Sequence, residues 1–288
     1  MYAITGVTGH TGSVVAETLL AQNKQVRVIV RDAAKGAAWK ARGADVAVAA
    51  LDDADALTRT FTGTEGAYVL LPPNPTSTDP IGDNEKLGRT IAKAVRASGV
   101  PHVVLLSSTG AQHKDGTGPI RALHTAEREL AATGAGVTAV RAAYFQENWG
   151  ASLGTLGTGT LYSFLPTELS FPQVSTIDIG RTAAAALVEG AARGETRIIE
   201  LSGPRDASGD DVARVLTKLV GKPITIERAP LDGVVPTFTS FGLSQQMAEL
   251  YREMYEGIIS GRVAWQGGKA RAVRGSVDIE ETLAKLIK

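Results

Sequence analysis

The 288-residue chain contains no cysteine. That excludes disulfide staples, thiolate nucleophiles and zinc–thiolate sites, and no metal site is expected. Charge of one sign is missing too, since 30 basic residues balance 30 acidic ones. A neutral chain without a lysine–arginine cluster lacks the electrostatic footprint of a protein that binds nucleic acid or an anionic membrane surface. No apolar run is long enough to span a bilayer. A strand that opens at Tyr2 leaves no leader ahead of the fold, so a cytoplasmic location is expected. Aromatic residues make up only 5% of the chain, so any local concentration of them stands out.

What is present suits a packed core: 43% of residues are hydrophobic and 21% charged. The beginning of the chain organises the rest. Tyr2-Ala3-Ile4-Thr5 predicts a short buried strand. Gly6-Val7-Thr8-Gly9-His10-Thr11-Gly12 follows, then a helix over Ser13–Gln22 and a second strand over Gln25–Val30. Strand, glycine turn, helix and strand in this order are the context of a dinucleotide-binding unit. Gly6 and Gly9 let the backbone turn sharply and approach a pyrophosphate, and Gly12 lets the helix pack closely on the strand. The helix N-terminus aims free N–H groups at the phosphates. Thr8, His10 and Thr11 lie in the same turn, and the two hydroxyls can add donors.

An enzyme selective for NAD usually has an acid at the end of the second strand to bind the ribose. Here Arg31 occupies that place, with Lys35 one turn later. A guanidinium can clamp a 2′-phosphate, so the expected cofactor is NADP(H). Asp32 reads as an N-cap. Asp52, after a third strand over residues 45–49, has two readings: acceptor for the adenine amine, or helix N-cap. A fourth strand, Gly66–Leu71, runs into Pro72-Pro73-Asn74-Pro75, and Leu71 and Pro72 are expected to line the cofactor. A helix over 83–98 and a fifth strand over 101–106 follow. Ser107 and Ser108, at that strand's end, either face the nicotinamide or form a plain serine turn.

A helix over 120–133 and a sixth strand over 137–141 complete the regular part. The stretch from Ala143 to Phe171 is rich in aromatics and glycine, and reads equally as a pocket lining or as the core of a small subdomain. Beyond it the pattern predicts a helix from Ser175 to Ala192, a strand over 197–201 and a helix over 207–220. A strand over 224–227, a helix over 243–260 and a terminal helix from Ile279 follow. The fold class is thus α/β, a Rossmann-type doubly wound parallel sheet with a smaller C-terminal α/β substrate lobe. Residues 1–144 plus 176–202 form the cofactor domain, and 145–175 plus 203–288 the substrate lobe.

The chain resembles the NmrA-like branch of the atypical short-chain dehydrogenases. The likeness rests on the glycine turn, on Val28–Asp32, on Gly99–Ser108, on Ala126–Leu130 and Arg141–Asn148, and on Val174–Ala186. The family includes NADPH-dependent reductases of quinones, dyes or phenylpropanoids, and also NADP(H)-binding regulators without turnover. The resemblance carries over the glycine turn, Arg31 and the loop after Leu71 to the cofactor. Short-chain dehydrogenases usually carry Tyr-x-x-x-Lys on the helix after the fifth strand, and this helix has neither residue. It offers His124, three residues before Glu127, either as a proton donor oriented by that glutamate or as a helix-packing histidine. Ser108 is the other catalytic candidate. Tyr144 is counted with the cofactor contacts, and Phe145, Asn148 and Trp149 with the substrate contacts.

The expected function is NADPH-dependent reduction of a quinone-like or other conjugated small molecule. The alternatives are a non-catalytic NADP(H) sensor that binds a protein partner and, less favoured, an isomerase or cyclase. Monomer and homodimer both stay open, because the helix over 243–260 could cover a pocket or join two copies.

Overall fold

The computed structural model describes residues 1–288. In chain order its elements begin with β1 (Tyr2–Ile4), α1 (His10–Ala21), β2 (Val26–Val30), α2 (Ala37–Ala41), β3 (Asp45–Val48) and α3 (Ala54–Phe61). There follow β4 (Gly66–Val69), α4 (Pro80–Ser98), β5 (His102–Ser108), α5 (Arg121–Ala131), β6 (Gly136–Ala142) and β7 (Tyr144–Phe145). The second half holds β8 (Thr160–Ser163), β9 (Gln173–Val174), α6 (Thr176–Glu189), β10 (Thr196–Ser202), α7 (Gly209–Val220) and β11 (Thr225–Arg228). The last elements are α8 (Val234–Ser240), α9 (Gln245–Ile259), β12 (Arg271–Arg274) and α10 (Ile279–Leu286). No helix is long and apolar enough to cross a membrane.

Eight strands form one sheet in the order β12-β10-β6-β5-β4-β1-β2-β3. Every pairing in it is parallel. The interior strands are short runs of β-branched and small apolar residues, and β4 and β6 are buried at every position. Such runs suit a parallel sheet covered on both faces. One face packs α1 and α6 over Val15, Leu19, Ile179 and Leu187. The other packs α3, α4 and α5 over Leu57, Phe61, Ile91 and Leu130. The chain winds outward from β1 through β2 to β3, then returns to the other side of β1 with β4. The carboxyl ends of β1 and β4 therefore flank the crevice where an open α/β sheet binds its ligand.

A smaller core holds Trp149, Leu161, Val212, Leu216, Ile226 and Leu283. It sits among α7, α10, the parallel pair β8–β11 and a 3₁₀ stretch over Gln146–Thr158.

Several boundaries differ from the sequence pattern. After β2 a 3₁₀ turn, Ala33–Gly36, leads into the short α2, with buried Gly36 packed against Val46 at the junction. α4 starts at Pro80 rather than Asp83. Asp79 caps it by accepting from the Gly82 N–H at 3.1 Å, and a proline is tolerated in a first turn because its missing N–H has no helical partner there. Ser175 caps α6, which ends at Glu189 with Gly190 as its C-cap, short of the Ala192 expected. Strands β7, β8, β9 and β12 are additions. The last of these pairs residues 271–274 with β10, at the edge of the main sheet.

Candidate functional site

The crevice between β1 and β4 opens into a cleft of about 660 Å³. Gly6 leaves β1 with φ +66°, and a Cβ there would sit 2.6 Å from Leu70 Cδ2. Gly12 is pressed on the turn itself, where a Cβ would lie 2.5 Å from the Gly6 carbonyl oxygen and 2.6 Å from that of Thr5. Gly9 is the N-cap of α1. No side chain caps this helix and no acid lies in its first turn, so its leading N–H groups are free for an anion.

Gly6, Thr8, Arg31, Lys35, Asp52 and Pro72 line the cleft together. Arg31, Lys35 and a third lining cation, Lys86 from α4, form no ion pair. Nearby Arg27 and Arg42 are by contrast held by Asp45 and Glu17. Free cations, an uncapped helix start and a glycine turn with no room for side chains fit the phosphates of a dinucleotide, including a 2′-phosphate. Asp32 accepts from the Ala34 N–H at 2.9 Å as an N-cap, and Asp53 caps α3 from Ala56 N at 2.9 Å. Asp52 is thus not the cap.

Other expected contacts lie elsewhere. Thr11 is buried behind the turn, where its Oγ1 receives the Tyr68 hydroxyl at 3.0 Å. Burial pushes that phenol's pKa far up, so it stays a donor. His10 opens α1 and is exposed. Leu70, not Leu71, faces the cleft; Leu71 points to the opposite side of the sheet and packs beside α3 and α4. Successive side chains of an extended segment alternate faces, which separates the two leucines. Ser107 likewise turns away from its neighbour, donating to Glu127 Oε1 at 2.5 Å.

Glu127 also corrects the role expected for it with His124. Arg141 grips the glutamate in a fork, with Nε donating to Oε1 at 2.9 Å and Nη2 to Oε2 at 2.6 Å. His124 Nδ1 lies 3.0 Å from the Ala111 carbonyl, and the imidazole lines neither this cleft nor the cavity beside it. The helix-packing reading of His124 describes its position.

The second cavity, about 690 Å³, adjoins the first, and Pro73 lines both. Ser108, Tyr144, Phe145, Asn148 and Phe171 form one side of it. Tyr144 therefore stands in the apolar cavity, not in the phosphate cleft. Its ring meets Phe171 edge-on, with centroids 5.4 Å apart. The roof is α9, whose Tyr251, Met254, Tyr255 and Ile258 point inward at spacings of three, four and seven residues, the repeat of one helix face. Phe238 of α8 stacks on Tyr251 at 4.9 Å. Val263, Ala264 and Trp265 close the cavity. Trp149 is not in it: its indole donates to Gln173 Oε1 at 2.9 Å and packs in the small core. The aromatic stretch thus divides between both readings the sequence left open. The α9 roof was legible as periodicity, but nothing in the sequence assigns that face to this cavity; Trp265 carries no signal of its own.

A wholly parallel doubly wound sheet, with a glycine-turn cleft at its switch point and an apolar cavity sharing a wall with that cleft, is the architecture of a dinucleotide-binding α/β protein. The chain matches the NmrA-like family over residues 2–273, and it belongs to that family. It is 28% identical over 302 residues to quinone oxidoreductase 2 of Escherichia coli (strain K12), an alignment covering 100% of this chain and 93% of that protein. It is 26% identical to the NAD(P)H azoreductase of Xenophilus azovorans over 259 residues, 88% of this chain and 86% of the other. The crystal structure of the NADPH-dependent quinone oxidoreductase of Escherichia coli complexed with NADPH superposes with a TM-score of 0.78 at 26% identity, covering 100% of this chain and 94% of that one.

Proposed function

We propose that the protein is an NADPH-dependent oxidoreductase that reduces a flat conjugated acceptor of the quinone or azo class. The observation that carries this is the shared wall at Pro73, which sets a cavity lined mostly by apolar and aromatic side chains against the cleft whose free cations and bare helix start suit a dinucleotide phosphate. The named activities of the relatives point the same way. NADPH, when bound, supplies a hydride.

The chain's own part is to bind, orient and exclude water. Gly6, Gly9 and the start of α1 receive the pyrophosphate, while Arg31 and Lys35, with Lys86 opposite, receive the 2′-phosphate. Pro72 and Pro73 form the partition against which the ring lies. Tyr144, Phe145 and the face of α9 hold the acceptor flat in a dry site, where alignment does most of the work. The division into a cofactor domain and an acceptor lobe belongs to the same proposal, with residues 271–274 moved to the sheet.

The test is NADPH oxidation against a panel of quinones and azo compounds, with Arg31→Ala as the comparison. Losing a charge-assisted phosphate contact of about 1.5–3 kcal/mol should raise the NADPH KM by about tenfold to a hundredfold, with kcat and the NADH kinetics nearly unchanged. Tight NADPH binding without turnover on any acceptor would replace this reading with that of a non-catalytic sensor. Equal use of NADH by both forms would show that Arg31 does not select the phosphate.

A further inference from the structure

The apolar cavity raises a question that its hydrophobicity does not answer: what fixes the polar atom of an acceptor inside it. No lysine, arginine or histidine lines it. Its one carboxylate, Glu147, is committed to the start of α6, where Oε1 accepts from Thr176 N at 2.9 Å, Thr176 Oγ1 at 2.7 Å and Ser175 Oγ at 3.0 Å. The hydroxyls at the end of β5 are also engaged, Ser108 with the Thr109 carbonyl at 3.1 Å and Thr109 with the Ala142 carbonyl at 3.2 Å. Two phenols remain. Tyr144 comes from the end of the main sheet and Tyr255 from the roof helix, and their hydroxyls adjoin one another without completing a hydrogen bond of full geometry. Neither is a buried orphan, so both open into the cavity.

We infer that the hydroxyls of Tyr144 and Tyr255, one from each half of the molecule, are the donors that hold an uncharged acceptor atom, a carbonyl oxygen or an azo nitrogen, of an aromatic ligand in this cavity; the inference rests on the reading of the cavity as the acceptor site. The rings are positioned for it. Phe171 holds Tyr144 edge-on, and Phe164 lies 5.6 Å from Tyr255. Burial also keeps both groups in the donating form: the Tyr144 phenol is pushed up to about 12, and that of Tyr255 is raised well above its ordinary value by burial and by Tyr144 beside it. A pair of neutral donors with no cation nearby favours a neutral acceptor over a carboxylate or sulfonate.

The experiment measures binding by equilibrium dialysis in the absence of NADPH, so that no reduction intervenes. The probes are 1,4-naphthoquinone, which bears the acceptor oxygens, and naphthalene, which lacks them. The absence of cysteine removes thiol addition to the quinone as a complication. Tyr144→Phe and Tyr255→Phe keep the ring and remove only the hydroxyl. Each should weaken naphthoquinone binding by about fivefold, the effect of one hydrogen bond near 1 kcal/mol, and leave naphthalene unchanged. Unchanged naphthoquinone affinity in both variants overturns the inference. So does an equal loss for both probes, which would assign the tyrosines to packing, and so does failure of both probes to bind the unaltered protein. Naphthoquinone held through the tyrosines by a protein that consumes no NADPH would refute the reductase reading and leave this one standing.

Discussion

Three residues carry most of what can be tested singly. Gly12 is fixed by backbone on two sides, so Gly12→Ala has nothing flexible to displace. It should cost about 1–3 kcal/mol in thermal unfolding and weaken NADPH binding, because the phosphate turn must move. Arg141 is 4% exposed and holds a glutamate that is 13% exposed. Arg141→Met leaves that carboxylate buried without its partner and should lose about 3–5 kcal/mol in denaturant unfolding, while adding Glu127→Leu should restore most of the loss. His102 is buried, with Nε2 3.0 Å from Thr138 Oγ1 and Nδ1 unpartnered. Burial, and then Arg197, lower its pKa to about 4. Between that value and the ordinary histidine range the unfolded chain binds a proton that the folded one refuses. Its contribution is therefore complete above the unfolded pKa and is lost as pH falls. A drop of about 2 kcal/mol between pH 7 and pH 5 should shrink in His102→Gln, and an identical pH profile would exclude the assignment. Spacing brought out part of this picture. His124 and Glu127 share a helix, which made them look like a pair, but Arg141 reaches Glu127 from β6, and no periodicity within α5 can reveal a partner on another strand.

At the scale of elements, α9 is the part whose placement decides the shape of the apolar cavity. It rests on the loop before α5 through two glycines. A Cβ on Gly118, already at φ +60°, would strike the Leu250 carbonyl, and one on Gly257 would lie 2.7 Å from that of Gly116. Gly118→Ala should therefore lift the roof, raising the acceptor KM by about tenfold while the NADPH KM stays put. A parallel rise in both constants would show that the two cavities do not respond separately. The strands of the main sheet were readable where they are buried runs, as in β4, β5 and β6. β12 and β8 were not, because Arg271–Arg274 and Thr160–Ser163 are only four residues long with polar residues at both ends, and gain their strand form from the neighbour they pair with.

For the molecule as a whole, the unequal cores predict unequal stability. Eight buried residues hold the small lobe, against 24 and 19 on the two faces of the sheet. Amides of α7 and α10 should exchange with solvent before those of β4, β5 and β6. Added NADPH should slow the Gly6–Gly12 turn and leave α7 unaffected; uniform protection would mean that the lobe and the sheet open as one. The pairing of β12 with β10 has a consequence for synthesis. Residues 203–270 lie between these neighbours, and the sheet's last position stays vacant until they have been made. Gly275 then donates to the Ser202 carbonyl at 2.7 Å, and Val277 to Asp178 Oδ2 at 2.8 Å. A ribosome that stalls before Arg271 releases a chain with a bare strand edge and a carboxylate on α6 lacking this donor, the kind of surface that chaperones and proteases engage. Closure of the sheet's edge therefore waits on the synthesis of residues 271–274.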